Sequence, residues 1–148
     1  MLFRSFLGEP GSGGQKKCWH LDNFLSVAKE LCGRDLEVVF VLGPAEVERF
    51  RPSEKVQMHA AAKCVAHLAL NQVVGLLSCA DAFLGNDSGV THLAAGMGVR
   101  TVALFGPTEP CVYRPLGRAV TVLRDPAGDF AQKPRPSLQK TVLESLPF

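Results

Sequence analysis

The stretch from residue 82 to residue 106 constrains the fold more than any other part of the chain. It contains the apolar run AFLGN, then the helix-forming segment SGVTHLAAGMG, then the apolar run RTVALFG. A single helix between two short strands is the usual connection between parallel strands. Another run, LEVVFVLG at 36–43, is continuously apolar after Glu37, as expected of a strand that is buried on both faces of a parallel sheet. The sequence therefore predicts a parallel sheet covered by helices.

The rest of the chain continues this alternation. Strands are predicted at 2–7, 36–43, 82–86, 100–106 and 119–124, and helices at 22–33, 44–50, 53–66, 71–80 and 88–98. Strands that alternate with helices predict a Rossmann-like α/β domain over residues 1–125. Residues 126–148 contain four of the ten prolines, so we expect a C-terminal tail that is loosely attached or disordered.

The composition excludes several classes of protein. The net charge of +2 is mild, and no basic stripe with interleaved aromatic residues is present, so we expect no nucleic-acid partner. No apolar run is long enough to span a bilayer, and the N-terminus has no signal-peptide pattern. The five cysteines lack the spacing of a zinc site. We interpret them as reduced thiols and expect a cytoplasmic protein without a transmembrane segment.

Three loops are predicted to meet at the carboxyl ends of the strands, where open α/β sheets bind ligands: 8–17, 43–46 and 85–92. In the last of these, Asp87 or Ser88 suits a helix cap, and Gly89 leaves bare N–H groups that could face a phosphate. His92 lies one turn further on. A serine-hydrolase elbow is disfavoured, because Gly85 precedes Ser88 by three residues rather than two.

The other two loops allow both a functional and a plain structural interpretation. The loop EPGSGGQKKCW offers glycines for close backbone approach, the hydroxyl of Ser12, and Lys16 or Lys17 as a charge suited to phosphate. It is equally consistent with a flexible surface loop that carries solvated lysines. Glu46 suits a ribose hydroxyl, as acids after strands do in nucleotide-binding folds. It also suits a first-turn acid that pairs with Arg49.

Taken together and in order, four motifs resemble glycosyltransferase family 9, the bacterial ADP-heptose:lipopolysaccharide heptosyltransferases. They are PGSGGQKKCW, LGPAEVERF, GNDSGVTHLAAGMGVRTVALFGPTEP and YRPLG. The third is the most specific. The resemblance covers residues from about 8 to about 124, and it implies the C-terminal, donor-binding half of a two-domain GT-B glycosyltransferase.

The resemblance also implies which residues hold the donor. The residues implied at the diphosphate are Ser12, Gly13, Lys17, Asp87, Ser88, Gly89 and His92. The residues implied at the nucleoside are Glu46, for the ribose, and Leu68, for the adenine. His20 departs from the family, which usually has a proline after the tryptophan. The family's general base belongs to an N-terminal acceptor domain, so no catalytic residue is assigned in this chain.

The activity implied is inverting transfer from an ADP-activated sugar to a glycolipid acceptor of the lipopolysaccharide-core type. The acceptor would be bound through an N-terminal domain, at the inner face of the bacterial inner membrane. We expect no cofactor and no metal, because Asp87 has no acidic neighbour in a DxD pattern. Two alternatives stay open. One is a non-catalytic nucleotide-binding fragment, since this chain alone is expected to be inactive. The other is a GT-B protein like the nucleotide-sugar 2-epimerases, whose helix start carries a Glu-Glu pair where this chain has His92.

Overall fold

A computed structural model describes residues 4–125 and 127–148. The strands are β1 (Ser5–Glu9), β2 (Glu37–Leu42), β3 (Lys63–Ala66), β4 (Ala82–Asn86), β5 (Arg100–Phe105) and β6 (Val120–Arg124). The helices are α1 (Leu21–Cys32), α2 (Pro44–Arg49), α3 (Pro52–Ala61), α4 (Leu70–Ser78), α5 (Gly89–Gly96), α6 (Pro110–Tyr113) and α7 (Pro136–Ser145). A short 3₁₀ turn, Gln15–Lys17, lies between β1 and α1.

The six strands form one parallel sheet in the order β3-β2-β1-β4-β5-β6. This is the doubly wound order of Rossmann folds, so the predicted fold class is confirmed. The chain runs outward from β1 in both directions, and the carboxyl ends of β1 and β4 therefore flank the crevice where such sheets bind ligands. Register brings Glu9 at the end of β1 opposite Gly85 of β4.

Apolar side chains fill the space on both faces of the sheet. Phe6 packs in the cluster that also contains residues of α1, α3 and α7, whereas the next residue, Leu7, packs with residues of α4 and α5. Successive side chains of a strand point to opposite faces, which explains why apolar residues run without interruption in the central strands. The predicted pattern for a sheet buried on both faces is thus observed.

Two predicted elements differ from the structure, and one observed helix was not predicted. The helix predicted over 53–66 ends at Ala61, and Lys63–Ala66 form the edge strand β3. Only pairing with β2 makes this four-residue segment a strand, and that pairing is not visible in the local sequence. The first strand is Ser5–Glu9 rather than 2–7, with residues 1–3 outside the described part of the chain. The short helix α6 was not predicted.

The expectation of a loosely attached or disordered C-terminal tail is wrong. Helix α7 packs on the same face of the sheet as α1, and the side chains of Phe130 and Val142 are buried in the core. Asn23 of α1 accepts hydrogen bonds from the backbone N–H of Arg135 at 2.7 Å and from Gln139 Nε2 at 2.6 Å. Prolines open this helix rather than prevent it, since Pro136 occupies its first turn, where no intrahelical N–H is needed.

Candidate functional site

A cleft of about 840 Å³ opens at the carboxyl ends of β1, β2 and β4. The residues of this cleft that the sequence predicted are Ser12, Gly13, Lys17, Glu46, Asp87, Ser88, Gly89 and His92. Three loops that are far apart in sequence therefore meet as predicted. Leu68 does not line the cleft; it is half-buried against the core on the α4 face. Leu70 lines the cleft instead, with 72% of its surface exposed.

Asp87 is the buried centre of the charged groups in this cleft. Its Oδ2 accepts a hydrogen bond from Lys17 Nζ at 2.9 Å, and its Oδ1 lies 4.0 Å from His92 Nε2. Its carbonyl oxygen accepts from Ser12 Oγ at 2.7 Å. The carboxylate thus holds two basic side chains on the rim of the cleft, beside the first turn of α5.

The first turn of α5 presents unpaired backbone donors to the cleft. Ser88 caps the helix, because its Oγ accepts from the N–H of Thr91 at 3.3 Å. In the described part of the chain, no group accepts a hydrogen bond from the N–H of Gly89 or Val90. Nothing lies within 4 Å of the position that a Cβ atom would take on Gly89. These donors, with the positive end of the helix dipole, make the turn suitable for an anion.

Asn86 was missed by sequence reasoning, although it shapes the loop that follows β1. This fully buried side chain accepts from the backbone N–H of Trp19 at 2.8 Å and donates to the carbonyls of Glu9 at 3.3 Å and Gly11 at 3.2 Å. Both ends of the loop are therefore tied to the end of β4. The sequence signal that could have identified Asn86 is its position at the end of a predicted strand, directly before Asp87, Ser88 and Gly89.

Arg49 fixes the middle of the same loop. Its Nη2 donates to the carbonyl of Ser12 at 2.8 Å, and its Nη1 lies 3.1 Å from Cys18 Sγ. The sequence offered Arg49 as an ion-pair partner of Glu46, but no such pair within 4 Å is found in the described residues. The arginine connects α2 with the loop after β1, and this leaves the Glu46 carboxylate to the cleft.

Glu46 occupies a space that two glycines provide. Its side chain is buried, and a methyl group on Gly11 would overlap its Cγ atom. A Cβ atom on Gly43 would lie 2.5 Å from its Oε2. The absence of side chains at Gly11 and Gly43 therefore allows a carboxylate to lie at the floor of the cleft, between the ends of β1 and β2.

Glu9, a second buried acid, was also missed. It lies at the end of β1, lines the cleft and forms a hydrogen bond with Ser88 Oγ. Burial raises the pKa of this carboxyl to about 8; the hydrogen bond from Ser88 opposes the rise, and the charge of Glu46 adds to it. The sequence assigned Glu9 to a flexible loop because the first strand was predicted to end at residue 7. The misplaced C-terminal boundary of that strand hid the residue.

No group of three or more potential metal-ligating side chains occurs within residues 4–125 and 127–148. The expected absence of a metal stays a prediction. In the same part of the chain, no helix combines the length and the apolar character that a membrane crossing requires.

Comparison with known proteins decides the family. The model of "Glycosyltransferase family 9 (heptosyltransferase)" matches residues 6–142. The chain belongs to glycosyltransferase family 9. The match extends beyond the predicted boundary at residue 125 and includes most of α7, in agreement with the packing of that helix.

The relatives of this family 9 chain include "Lipopolysaccharide heptosyltransferase 3" of Escherichia coli, which is 28% identical over 121 residues, 80% of this chain and 35% of the relative. The fold is that of the E. coli ADP-heptose lps heptosyltransferase II, with a TM-score of 0.77 and 24% identity. It is also that of the E. coli heptosyltransferase WaaC with ADP, with a TM-score of 0.79 and 17% identity. Each structural likeness covers 97% of this chain and 45% of the other.

The family 9 chain therefore spans about a third to a half of the length of the relatives and structures that it matches. In its fold it corresponds to a single Rossmann-like unit of a GT-B glycosyltransferase, as the sequence predicted. The roles of the individual cleft residues stay predictions.

Proposed function

We propose that this chain is the donor-binding half of a heptosyltransferase and that its cleft binds an ADP-activated sugar. The observation that carries the proposal is the arrangement of Lys17, Asp87 and His92 beside the free N–H groups of α5. Two basic side chains and a helix N-terminus converge there on one cleft. This combination suits a diphosphate, which needs both fixed charge and directed hydrogen-bond donors.

In this proposal the diphosphate lies over Gly89, within reach of Lys17 and His92. Asp87 orients both basic groups and does not contact the ligand. Its negative charge is largely balanced by the Lys17 ammonium at 2.9 Å, so it opposes anion binding less than a free carboxylate would. Ser12 and Gly13 belong to the loop that would lie over the diphosphate.

The nucleoside would lie on the β2 side of the cleft. Glu46 is the candidate acceptor for the ribose hydroxyls, because its buried carboxylate lines this side and lacks a pairing cation among the described residues. The sequence assigned the adenine contact to Leu68. Since Leu70 is the leucine that lines the cleft, we assign the apolar contact to Leu70, whereas Leu68 packs against the core. One structural neighbour is a heptosyltransferase with ADP, and this supports adenine as the base.

The proposed reaction is an inverting displacement. A hydroxyl oxygen of the acceptor forms a bond to the anomeric carbon while the bond from that carbon to the β-phosphate oxygen breaks, and ADP leaves. Negative charge grows on the leaving phosphate oxygen. Lys17, His92 and the N–H groups of the α5 turn would stabilise that charge more in the transition state than in the ground state. The proton of the acceptor hydroxyl goes to a base outside this chain, in an N-terminal acceptor domain.

The remaining parts of the proposal rest on family membership. The acceptor is a glycolipid of the lipopolysaccharide-core type, bound through the N-terminal domain at the inner face of the bacterial inner membrane, in the cytoplasm. No metal is proposed, because Lys17, His92 and the backbone donors of the α5 turn would balance the charge of the diphosphate. By itself the chain is expected to bind donor without transferring sugar.

Calorimetry with ADP, UDP and NAD tests the donor assignment. We expect ADP to bind more tightly than UDP and more tightly than NAD, because the proposed donor is an ADP-activated sugar. Tighter binding of UDP than of ADP contradicts the heptosyltransferase assignment. Adding an acceptor glycolipid and an ADP-sugar to the chain alone should release no ADP.

A further inference from the structure

Glu9 is a buried acid that the proposed transfer does not use, although it lies in the same cleft. Only 6% of its surface is exposed. Its Oε2 contacts Ser88 Oγ, and it lies opposite Gly85 in the β1–β4 register. A carboxylate in this position would put a negative charge directly beneath the α5 turn that is proposed to receive a diphosphate. The protonation state of Glu9 therefore matters for donor binding.

The hydrogen bonds around Glu9 indicate which state fits. Thr91 Oγ1 donates its one proton to the carbonyl of Asn86, at 2.6 Å. Thr91 Oγ1 also lies 3.1 Å from Ser88 Oγ, so the proton of that contact has to come from Ser88. Ser88 has a single hydroxyl proton, so it donates either to Thr91 or to Glu9; it can donate to Thr91 when a protonated Glu9 donates to Ser88. A protonated Glu9 completes the chain from Glu9 through Ser88 and Thr91 to Asn86, with one donor for each contact.

An ionised Glu9 leaves this chain one proton short. Ser88 would donate to the Glu9 carboxylate, and the two hydroxyl oxygens of Ser88 and Thr91 would then face each other without a proton. The larger cost is the charge itself, because Glu9 is buried and no cationic side chain lies within 4 Å of it among the described residues. The raised pKa of Glu9, about 8, agrees with this geometric argument.

We propose that Glu9 is a positioning residue of the diphosphate site and that it stays protonated while the donor is bound. This inference rests on the proposed donor site. Glu9 holds Ser88 as the cap of α5, and the Ser88 hydroxyl donates its hydrogen bond to Thr91. The free backbone N–H groups of Gly89 and Val90 are then the donors to the phosphate. The carboxyl remains neutral, so the turn keeps its attraction for an anion.

Other charged groups lie in the same cleft as Glu9. Glu46 of α2 opposes its ionisation. Lys17 from the 3₁₀ turn, Asp87 from the end of β4 and His92 of α5 line the same cleft, whereas β4 faces Glu9 with Gly85. A bound diphosphate adds negative charge to this group, so it should make Glu9 hold its proton still more firmly. Donor binding at alkaline pH should therefore take up a proton.

The test is calorimetry of ADP binding between pH 7 and pH 9, with wild type, Glu9→Gln and Glu144→Gln. Glutamine mimics the neutral carboxyl, and Glu144 lies exposed on α7 as a matched control. We expect Glu9→Gln to bind ADP within about twofold of wild type at pH 7 and about five times more tightly than wild type at pH 9. Glu144→Gln should follow wild type throughout.

A second measurement needs no variant. At pH 8.5 the terminal phosphate of ADP is already ionised, because phosphate monoesters titrate near pH 6, so proton uptake on binding reports on the protein. Binding heats in two buffers with different ionisation enthalpies should show a net uptake of about half a proton for wild type.

The outcomes separate the inference from the proposed function. If wild type and Glu9→Gln bind ADP with parallel pH profiles, or wild type takes up no proton, Glu9 does not act as proposed and the donor site stands. A loss of affinity in Glu9→Gln that is equal at every pH shows a packing role only and also overturns the inference. If neither protein binds ADP at any pH, the donor site fails, and the inference fails with it.

Discussion

The Asp87 carboxylate lies between Lys17 and His92, 2.9 Å from the ammonium Nζ of the first and 4.0 Å from Nε2 of the second. Lys17 follows β1 and His92 belongs to α5, so this one side chain joins two segments that are far apart in sequence. Asp87 is buried, whereas Lys17 and His92 are partly exposed toward the cleft. The buried acid thus fixes where two basic side chains lie at the rim of the cleft.

Replacing Asn86 with alanine should destabilise the protein by about 3 kcal/mol. The substitution removes a fully buried side chain and leaves the N–H of Trp19 and the carbonyls of Glu9 and Gly11 without their partner. Urea denaturation measures the change. The matched control is Asn71→Ala, at an exposed position of α4, which should stay within about 0.5 kcal/mol of wild type. Equal effects of the two substitutions would refute the role assigned to Asn86.

Gly11→Ala should disturb the cleft by displacing Glu46. A methyl group at this position would overlap Glu46 Cγ, and the glutamate is buried, so either the loop or the acid has to move. We expect a loss of about 1–3 kcal/mol in the free energy of unfolding, with a weaker affinity for ADP. The control is Gly13→Ala, because nothing lies within 4 Å of the methyl group that it adds. The stability of this variant should equal that of wild type. If Gly11→Ala has wild-type stability and affinity, the packing of Glu46 has been misjudged.

Much of this site could be predicted from the sequence, because the motifs themselves carry its local chemistry. The motif GNDSGVTH specifies a strand end, a cap and a bare turn, and the structure brings these residues together. Position after a predicted strand did not distinguish Lys17 from Lys16, and it left Glu46 open as a plain first-turn acid; the family resemblance is what singled out both residues. Their meeting in one cleft follows from the parallel sheet alone.

The residues that were missed depend on register and tertiary contact. Glu9 was hidden because the boundary of β1 was misplaced by two residues. Asn86 shows its role only through partners more than sixty residues away. Strand β3 exists because β2 pairs with it, and α7 is held by Asn23 and by burial of Phe130. A local pattern contains none of these contacts.

Stability should depend on pH through Glu9. Its folded pKa of about 8 exceeds the ordinary value of 4.5, so the folded state keeps a proton that the unfolded chain loses above pH 4.5. The stabilisation is complete below that pH and is lost as the pH rises toward 8, by roughly 3–5 kcal/mol in all. Urea titrations at several pH values should show wild type losing stability over this window relative to Glu9→Gln. If the difference between the two proteins is constant from pH 5 to pH 8, Glu9 is ionised in the folded state.

The most direct test of the account is the effect of Lys17→Ala on ADP affinity, compared with that of Lys16→Ala. The two lysines are adjacent, but only Lys17 is tied to Asp87 and lines the cleft, whereas Lys16 is exposed. Calorimetry at one ionic strength should show a loss of about tenfold to a hundredfold for Lys17→Ala, because a charged hydrogen bond to phosphate disappears. Lys16→Ala should stay within about twofold of wild type. An unchanged affinity in folded Lys17→Ala, or equal losses in the two variants, would contradict the assignment of this cleft as the diphosphate site.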